Sequence, residues 1–299
     1  MKNDVLVRAP AKLNLHLSVG PRRADGFHEL VTVYLAVSLY DEVTVRPADG
    51  LSMSVAGDRL PGLPLGTDNL AWRAAELLAA RAGAPADAHL ELAKQIPIAA
   101  GLAGGSADAA AALVGCDRLW GTRLSRADLL ELAEELGSDV AFSLAGGLAL
   151  GTGRGELLTS VLATGDWHWV LAVADGGLAT PAVYAELDRQ RAGQRPPLKP
   201  PDQLINALRA RDARGVGRLA CNDLQEPAVA LRPGLRATLR EGADLGALAG
   251  LVSGSGPTCA FLLGSSRGAV RFAAALSGAG VCRTVRIVHG PVAGARIVA

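Results

Sequence analysis

One stretch near the middle of the chain organises the interpretation of the rest: Pro97-Ile-Ala-Ala-Gly101-Leu-Ala-Gly104-Gly105-Ser106-Ala-Asp108. It follows a predicted strand over 89–95 and precedes an alanine-rich run, 109–114, that favours a helix. A glycine-rich loop at a helix start presents unpaired backbone N–H groups at the positive end of the helix dipole, and it lets a phosphate approach closely. The stretch therefore predicts a phosphate-binding loop, although a small-residue turn that packs a helix tightly on a sheet has the same composition.

The two commonest nucleotide-binding motifs do not describe this loop. No Gly-Lys-Ser/Thr follows its glycines, so it is not a Walker A loop, and its spacing is not GxGxxG. A second glycine-rich segment, Gly151-Thr-Gly153-Arg-Gly155, lies between β-like segments with no helix after it. We interpret that segment as a hairpin and reject a dinucleotide site there.

The composition indicates a folded protein with a local rather than a global anion site. The 299 residues are 49% hydrophobic and 20% charged, and the formal net charge is +1. That balance gives no electrostatic reason to expect nucleic-acid or anionic-membrane binding. The four cysteines (Cys116, Cys221, Cys259, Cys282) form no CxxC pair, so we expect reduced thiols. No apolar run suits a signal peptide or a membrane span, which predicts a cytoplasmic protein without an obligate protein partner.

The order of the predicted elements favours an α+β fold. Strands are predicted at Val5–Val7, from Leu13 to Val19, and over 30–38, 42–46 and 51–55. A helix is predicted from about 69 to 81, capped by Thr67 or Asp68 and ending at Gly83. Ser125 and Asp128 form a predicted capping box for a helix that runs to Gly137.

The second half begins after a glycine-rich region, and we place a domain boundary near 150–160, giving domains 1–155 and 156–299. Strands are predicted over 167–174, 247–252, 259–263 and 281–288, with a helix over 267–276. The segment 193–201 contains four prolines and is predicted to be an exposed loop.

Four further segments carry candidate functional side chains, and each also has an ordinary structural explanation. Lys12 and Asn14 open an alternating strand, with His16 on the same polar face, and the lysine could equally be solvated. Asp139 follows a helix end, where aspartate is also a common turn former. Phe27 and His28 follow an Asp-Gly turn, where an aromatic ring could stack on a planar ligand. The hairpin segment Ser253-Gly254-Ser255-Gly256 could also be an anion-binding nest.

Taken in order, these segments resemble the three motifs of the GHMP small-molecule kinase superfamily: PAKLNL near the start, PIAAGLAGGSADAA in the middle, and LVSGSGPT near the end. The resemblance implies two α+β domains with the active site in the cleft between them. It also implies ATP as the phosphoryl donor, Mg²⁺ with it, and a small-molecule acceptor. By this resemblance the catalytic residues are Lys12 and Asp139, with Asp139 as the base.

The ATP loop implied by the resemblance covers residues 97–107, which are Pro97, Ile98, Ala99, Ala100, Gly101, Leu102, Ala103, Gly104, Gly105, Ser106 and Ala107. Ser106 matches the hydroxyl that faces the phosphates and Mg²⁺. Many relatives carry a second serine at the next position, and Ala107 has no side-chain oxygen to offer as a metal ligand.

The segment Arg23-Ala-Asp25-Gly26-Phe27-His28 resembles the branch of the superfamily that phosphorylates the 2-hydroxyl of a cytidylyl-linked methylerythritol in non-mevalonate isoprenoid synthesis. That branch implies a cytosine held between two aromatic rings and contacted by a histidine. Phe27 and His28 match the first ring and the histidine. Tyr184 is the expected second ring, on a helix predicted to be capped by Thr180, and Asn14 joins these substrate-binding residues.

Three alternatives are weighed against this interpretation: another kinase of the superfamily, a nucleotide-binding module and a scaffold protein. Homoserine and mevalonate kinases share the ATP loop, and only the Phe27–His28 segment argues against them. A nucleotide-binding module without catalysis would have no need for both Lys12 and Asp139, and a scaffold protein would leave the ordered motifs unexplained.

Overall fold

The computed structural model describes residues 4–57 and 62–299. Its strands are β1 (Val5–Arg22), β2 (His28–Arg46), β3 (Leu51–Val55), β4 (Ala88–Ala93), β5 (Leu148–Thr152), β6 (Leu157–Ser160), β7 (Trp167–Val173), β8 (Cys221–Asn222), β9 (Ala249–Val252), β10 (Cys259–Leu263), β11 (Thr284–Gly290) and β12 (Arg296–Ile297). Its helices are α1 (Leu70–Ala82), α2 (Gly104–Trp120), α3 (Arg126–Leu136), α4 (Ser138–Ala145), α5 (Thr180–Arg191), α6 (Asp202–Arg209), α7 (Ala213–Leu219), α8 (Gln225–Leu231), α9 (Gly234–Asp244) and α10 (Ser266–Gly278).

The strands form two sheets. The larger has eight strands in the order β12-β1-β2-β4-β3, with β5 also paired to β2, β6 to β5 and β8 to β1. The smaller sheet has four antiparallel strands in the order β11-β7-β10-β9. The last strand, β12, returns to pair with β1, so the C-terminal segment also contributes to the larger sheet. Helices and strands are mixed in both halves, which confirms the predicted α+β class.

The two longest strands, β1 and β2, differ from the shorter strands predicted for the first half of the chain. The expected breaks after Val7 and before Glu42 are absent, because β1 and β2 pair along their length across three register shifts, at Pro10/Ala11, between Asn14 and His16, and between Val19 and Arg22. β2 then serves two partners, pairing with β4 through residues 42–46 and with β5 through 32–35. The predicted alternation of buried and solvated side chains on β1 is also wrong, because Asn14, His16 and Ser18 are at most 3% exposed.

The helix ends predicted from capping residues were more accurate than the predicted strand ends. The capping box of Ser125 and Asp128 begins α3, and Gly137 ends it, as predicted. Gly83 ends α1 in the left-handed region at φ 60°, where glycine has no steric penalty. The cap at the start of α1 is corrected to Asn69, whose side-chain oxygen accepts from the backbone N–H of Ala71. The β5–β6 pairing confirms that the Gly151–Gly155 segment is a hairpin.

In the second half, β10 spans the predicted residues, and β7, β9 and α10 lie within two residues of prediction at their ends. The last predicted strand is displaced toward the C-terminus, because β11 begins at Thr284 rather than Val281. Residues 193–201 form no helix or strand, as predicted.

Helix α2 is the central packing element of the larger sheet's core. Alanines 109–112 are fully buried, and their small side chains let the helix lie close to β1, β2 and α1. The closest approach is at Gly115, where an added Cβ would lie 2.4 Å from Cγ2 of Val45. Since interiors are close-packed, this contact sets how deeply the start of α2, and the loop before it, sits against the sheet.

We expect Gly115→Ala to lower the free energy of unfolding by about 1–2 kcal/mol, because overpacking against Val45 outweighs the gain in helix propensity. Urea denaturation measures this change. Gly278→Ala is the matched control, since a Cβ there meets nothing within 4 Å. An equal response of the two variants would contradict the packing argument.

Candidate active site

The glycine-rich loop has the backbone shape of an anion-binding nest. Ala99, Gly101 and Ala103 have φ values of 51°, 75° and 61°, so left-handed residues alternate with others just before α2. Ala103 is the N-cap of α2 and makes no side-chain cap hydrogen bond. The first N–H groups of α2 are therefore left for a ligand at the positive end of the helix dipole.

The loop meets both other motifs of the sequence through its backbone. A Cβ on Gly101 would lie 2.2 Å from the carbonyl oxygen of Ser253, so only glycine fits there. The Ser253 hydroxyl donates to the Gly101 carbonyl at 3.0 Å, and the Lys12 N–H donates to the Leu102 carbonyl at 3.2 Å. The segment from the smaller sheet and strand β1 of the larger sheet therefore converge on one loop.

Lys12 and Asp139 lie at this convergence. The Lys12 Nζ is 3.7 Å from an Asp139 carboxylate oxygen and donates to Asn14 Oδ1 at 2.6 Å. The Lys12 side chain is 6% exposed, which overturns the alternative of a solvated lysine, while the Asp139 side chain is 36% exposed. A buried ammonium beside a partly open carboxylate is a suitable arrangement for proton transfer from a bound hydroxyl.

Asp139 lies in the first turn of α4, a helix that the sequence analysis did not predict. The glycine before it, Gly137, ends α3 and also serves as the N-cap of α4. A carboxylate in a first helical turn is stabilised by the helix dipole in its charged form. The aspartate interpreted as a turn former is thus directed by a helix start toward Lys12.

Hydrogen bonds and packing orient the Lys12–Asn14 pair. Asn14 Nδ2 donates to Thr32 Oγ1 at 2.8 Å, and that hydroxyl donates to the His16 carbonyl at 2.7 Å. A Cβ on Gly254 would lie 3.0 Å from Lys12 Nζ, so the glycine leaves room for the ammonium. Asn222 holds this segment by donating to the carbonyls of Val252 and Gly254.

Tyr34 completes the pocket floor, and its buried ring lies under Lys12 Nζ at 5.9 Å. Burial raises the pKa of Tyr34 well above its usual value, and the nearby Asp139 carboxylate adds to the effect. Sequence reasoning missed Thr32, Tyr34 and Asn222. Thr32 and Tyr34 are directed toward the site by pairing between β1 and β2, and no local motif marks them.

Two of the expected base-binding residues, His28 and Tyr184, contact each other. His28 is 7% exposed, and Tyr184 stacks on it with ring centroids 5.2 Å apart at 29°. The Nδ1 atom of His28 donates to the Gly20 carbonyl, and its Nε2 atom lies 3.4 Å from an Asp188 carboxylate oxygen. Phe27 is 54% exposed, and the Arg154 guanidinium covers its ring at 5.0 Å. Among the described residues, Tyr184 therefore stacks on His28 rather than facing Phe27 directly.

Thr180 has a different role from the predicted one. Ala179 is the N-cap of α5, no side chain caps that helix, and Pro181 stands in its first turn. The Thr180 hydroxyl instead lies 2.8 Å from the Ser255 hydroxyl. The start of α5, which carries Tyr184, is thereby joined to the 253–256 segment beside Lys12.

The proline-rich loop is fastened to β1 at its C-terminal end. The Lys199 N–H donates to the Ser18 hydroxyl at 2.9 Å, and its Nζ donates to Asp223 at 2.6 Å. Burial alone would raise the pKa of Asp223, but hydrogen bonds from Lys199 and from the Val19 N–H lower it.

The same part of β1 holds a neutral thiol and imidazole. His16 Nε2 lies 3.1 Å from the Lys199 carbonyl and so donates, which leaves Nδ1 to accept from the Cys221 thiol at 3.3 Å. Burial lowers the pKa of His16 and raises that of Cys221. Both groups are thus uncharged at neutral pH.

Two kinds of feature are absent from the part of the chain that the structure describes. In residues 4–57 and 62–299, no three His, Cys, Asp or Glu side chains are placed to hold a metal ion. Ser106 stands in the first turn of α2, and a hydroxyl oxygen beside phosphate oxygens is a donor of the hard type that Mg²⁺ prefers. Within the same described residues, no helix has the length and apolar character required to cross a membrane.

Comparison with known proteins agrees with this geometry. Residues 69–147 match the model of the GHMP kinases N terminal domain, and residues 204–282 match that of the GHMP kinases C terminal domain. A protein of Salinispora tropica, named 4-diphosphocytidyl-2-C-methyl-D-erythritol kinase, is 58% identical over 296 residues, covering 98% of this chain and 94% of that one. The chain belongs to the GHMP kinase family.

Solved structures extend the comparison. A crystal structure of 4-(cytidine 5'-diphospho)-2C-methyl-D-erythritol kinase has a TM-score of 0.77 and 35% identity, and the match covers 96% of this GHMP kinase and 98% of that chain. Homoserine kinase from Cytophaga hutchinsonii superposes with a TM-score of 0.78 at 22% identity, covering 100% and 98% of the two chains. The second likeness shows the fold alone. The resemblance predicted from the three motifs is confirmed.

Proposed function

We propose that this GHMP kinase transfers the γ-phosphoryl group of ATP to the 2-hydroxyl of 4-diphosphocytidyl-2-C-methyl-D-erythritol, giving the 2-phosphate and ADP. The observation that carries the proposal is the position of Lys12 beside Asp139 and against the loop of residues 97–107. The Thr180–Ser255 contact joins α5, whose Tyr184 stacks on His28, to the segment beside Lys12. Relatives of that name at 58% and 35% identity support the same acceptor.

The nucleotide's phosphates bind to backbone rather than to side chains in this proposal. The alternating left-handed residues and the uncapped start of α2 supply N–H donors. Ser106 is the hydroxyl that would share Mg²⁺ with the phosphates, and the ion would neutralise charge on the transferred group. Phosphoryl transfer has a loose transition state, so most of the catalysis is positioning and charge neutralisation.

The acceptor hydroxyl is activated by Asp139 and Lys12. Asp139 accepts the proton of the 2-hydroxyl as that oxygen attacks, and the partial exposure of the carboxylate lets the substrate reach it. Lys12 lies between Asn14 and Asp139, where it orients the carboxylate and balances the charge that develops on the transferred group. The acceptor's position is set at its far end by stacking of the cytosine.

Cytosine recognition requires a rearrangement of the aromatic side chains. Tyr184 now covers His28, and Arg154 covers Phe27. A base that enters between Phe27 and Tyr184 replaces these contacts with its own two faces, and it brings its polar edge to His28. Homoserine and mevalonate have no planar ring for this purpose, so the alternative GHMP kinases leave Phe27 and His28 without a role.

The reaction is tested by measuring ADP release from Mg·ATP with three acceptors: 4-diphosphocytidyl-2-C-methyl-D-erythritol, homoserine and mevalonate. We expect release only with the first, together with a new phosphomonoester signal in the phosphorus NMR spectrum of the product. Release with either other acceptor would overturn the assignment of the base pocket. Release with none of them would favour a nucleotide-binding module.

Asp139→Asn should lower kcat by about 100-fold or more, because general-base catalysis of this kind contributes roughly 10²–10⁴-fold. Calorimetric Kd values for ADP and for the cytidylyl substrate should stay within about threefold of wild type. Glu135→Gln, on neighbouring α3, is the control. A wild-type kcat in the Asp139 variant would remove this residue as the base.

Phe27→Ala should raise KM for the cytidylyl substrate by about 5- to 100-fold, since stacking is worth about 1–3 kcal/mol per base. KM for ATP should change less than twofold. Leu162→Ala provides a control, because Leu162 is 84% exposed and belongs to none of the motifs. If KM rose equally for both substrates, Phe27 would not belong to the base pocket.

A further inference from the structure

A buried charged cluster lies beneath the phosphate-binding loop and plays no part in the mechanism above. The Lys94 side chain is 3% exposed, and its Nζ donates to two fully buried carboxylates, Asp41 Oδ2 and Asp108 Oδ2, the latter at 2.5 Å. Since all three side chains are shielded, none of them is a direct ligand of a nucleotide bound at the surface of the loop.

Each carboxylate is attached to a different end of the loop. Asp41 Oδ1 accepts from the N–H groups of Gln95 and Ile96, at 2.6 and 2.8 Å, just before the loop begins. Asp108 belongs to α2, just after the loop ends. The ammonium of Lys94 therefore links the residues just before the loop, through Asp41, to the helix just after it, through Asp108.

Ile96 and Lys94 lie close to the start of α2. A Cβ on Gly104 would lie 3.0 Å from Ile96 Cγ2 and 3.3 Å from Lys94 Nζ. The cap residue Ala103 contributes no side-chain hydrogen bond, so the outer side of the loop has no comparable fastening at this point. The N–H groups offered to a phosphate are thus supported from the core side.

The cluster is not the arrangement that stability alone favours. Asp108 Oδ1 has no hydrogen-bond partner in the described part of the chain, and an unsatisfied buried acceptor is destabilising. Apolar residues commonly replace buried ion pairs without loss of stability. A lone ammonium under a helix N-terminus would also oppose the helix dipole, and here Asp41 and Asp108 accept its hydrogen bonds.

We propose that Lys94, Asp41 and Asp108 are positioning residues for ATP, holding the two ends of the phosphate-binding loop at the spacing that the nucleotide's phosphates require. The inference rests on the proposed function in taking ATP as the ligand of this loop. It concerns nucleotide affinity alone and does not depend on which acceptor is phosphorylated.

Asp108 is the member whose removal leaves the fewest other effects. Asp108→Ala breaks the link between Lys94 and α2, while Lys94 and Asp41 remain a neutral pair, and alanine suits a helix. Asp108→Asn keeps a carbonyl oxygen that accepts from Lys94. Asp108→Leu fills the space of the aspartate without a hydrogen bond, and it replaces the alanine variant if that one fails to fold.

The measurements are Kd of ADP by calorimetry and KM of each substrate, with thermal melting as a check on folding. We expect Asp108→Ala to weaken ADP binding and to raise KM for ATP by about tenfold, with KM for the acceptor within about twofold. Asp108→Asn should recover most of the loss. Glu76→Gln, an exposed acid on neighbouring α1, should match wild type.

Two outcomes would overturn the inference: wild-type ADP affinity in a folded Asp108→Ala or Asp108→Leu protein, or equal changes in KM for ATP and for the acceptor. Asparagine and alanine variants of equal affinity would also contradict a role for the Lys94 hydrogen bond. Failure of the proposed function is distinguishable, because the wild type would then bind ADP but would not phosphorylate the cytidylyl acceptor.

Discussion

The close backbone approach at Gly101 is the constraint on which the site depends. The carbonyl of Ser253 occupies the space where any other residue would place its Cβ, and the Ser253 hydroxyl bonds back to the Gly101 carbonyl. This contact brings a segment of the smaller sheet against the phosphate-binding loop of the larger one. The positions of Lys12, Gly254 and Thr180 all follow from it, because each touches one of the two partners.

Around that contact, two buried lysines are held by fixed partners. Lys12 is buried against Asn14 and Asp139, and Lys94 is buried against Asp41 and Asp108. The two lysines lie on either side of the same loop, one toward the acceptor and one toward the core. A chain with almost no net charge thereby offers a strongly polar environment to a polyanionic nucleotide.

The site is open on the acceptor side and rigid on the nucleotide side. Residues of the loop and of α2 are held by backbone contacts and by a close-packed core, whereas Phe27 is half exposed and carries only an arginine over its ring. This difference is consistent with the two ligands. Phosphates are the same in every turnover and suit a preformed nest, while a base must enter between rings that contact other groups until it arrives.

The sequence by itself determined the α+β class, the motifs and the helix caps, because glycine, proline and capping residues act on their own neighbours through local backbone sterics and hydrogen bonds. The order of the motifs also predicted that Lys12, Asp139, His28 and the glycine-rich loop belong to one site, and the structure brings Lys12 beside Asp139 and the loop. Only the tertiary structure decided the burial of Lys12, the continuity of β1 and β2, the helix start beneath Asp139, and the contributions of Thr32, Tyr34, Asn222 and Lys94. These depend on strand pairing and on packing between residues that are far apart in the chain, and no local pattern encodes such contacts.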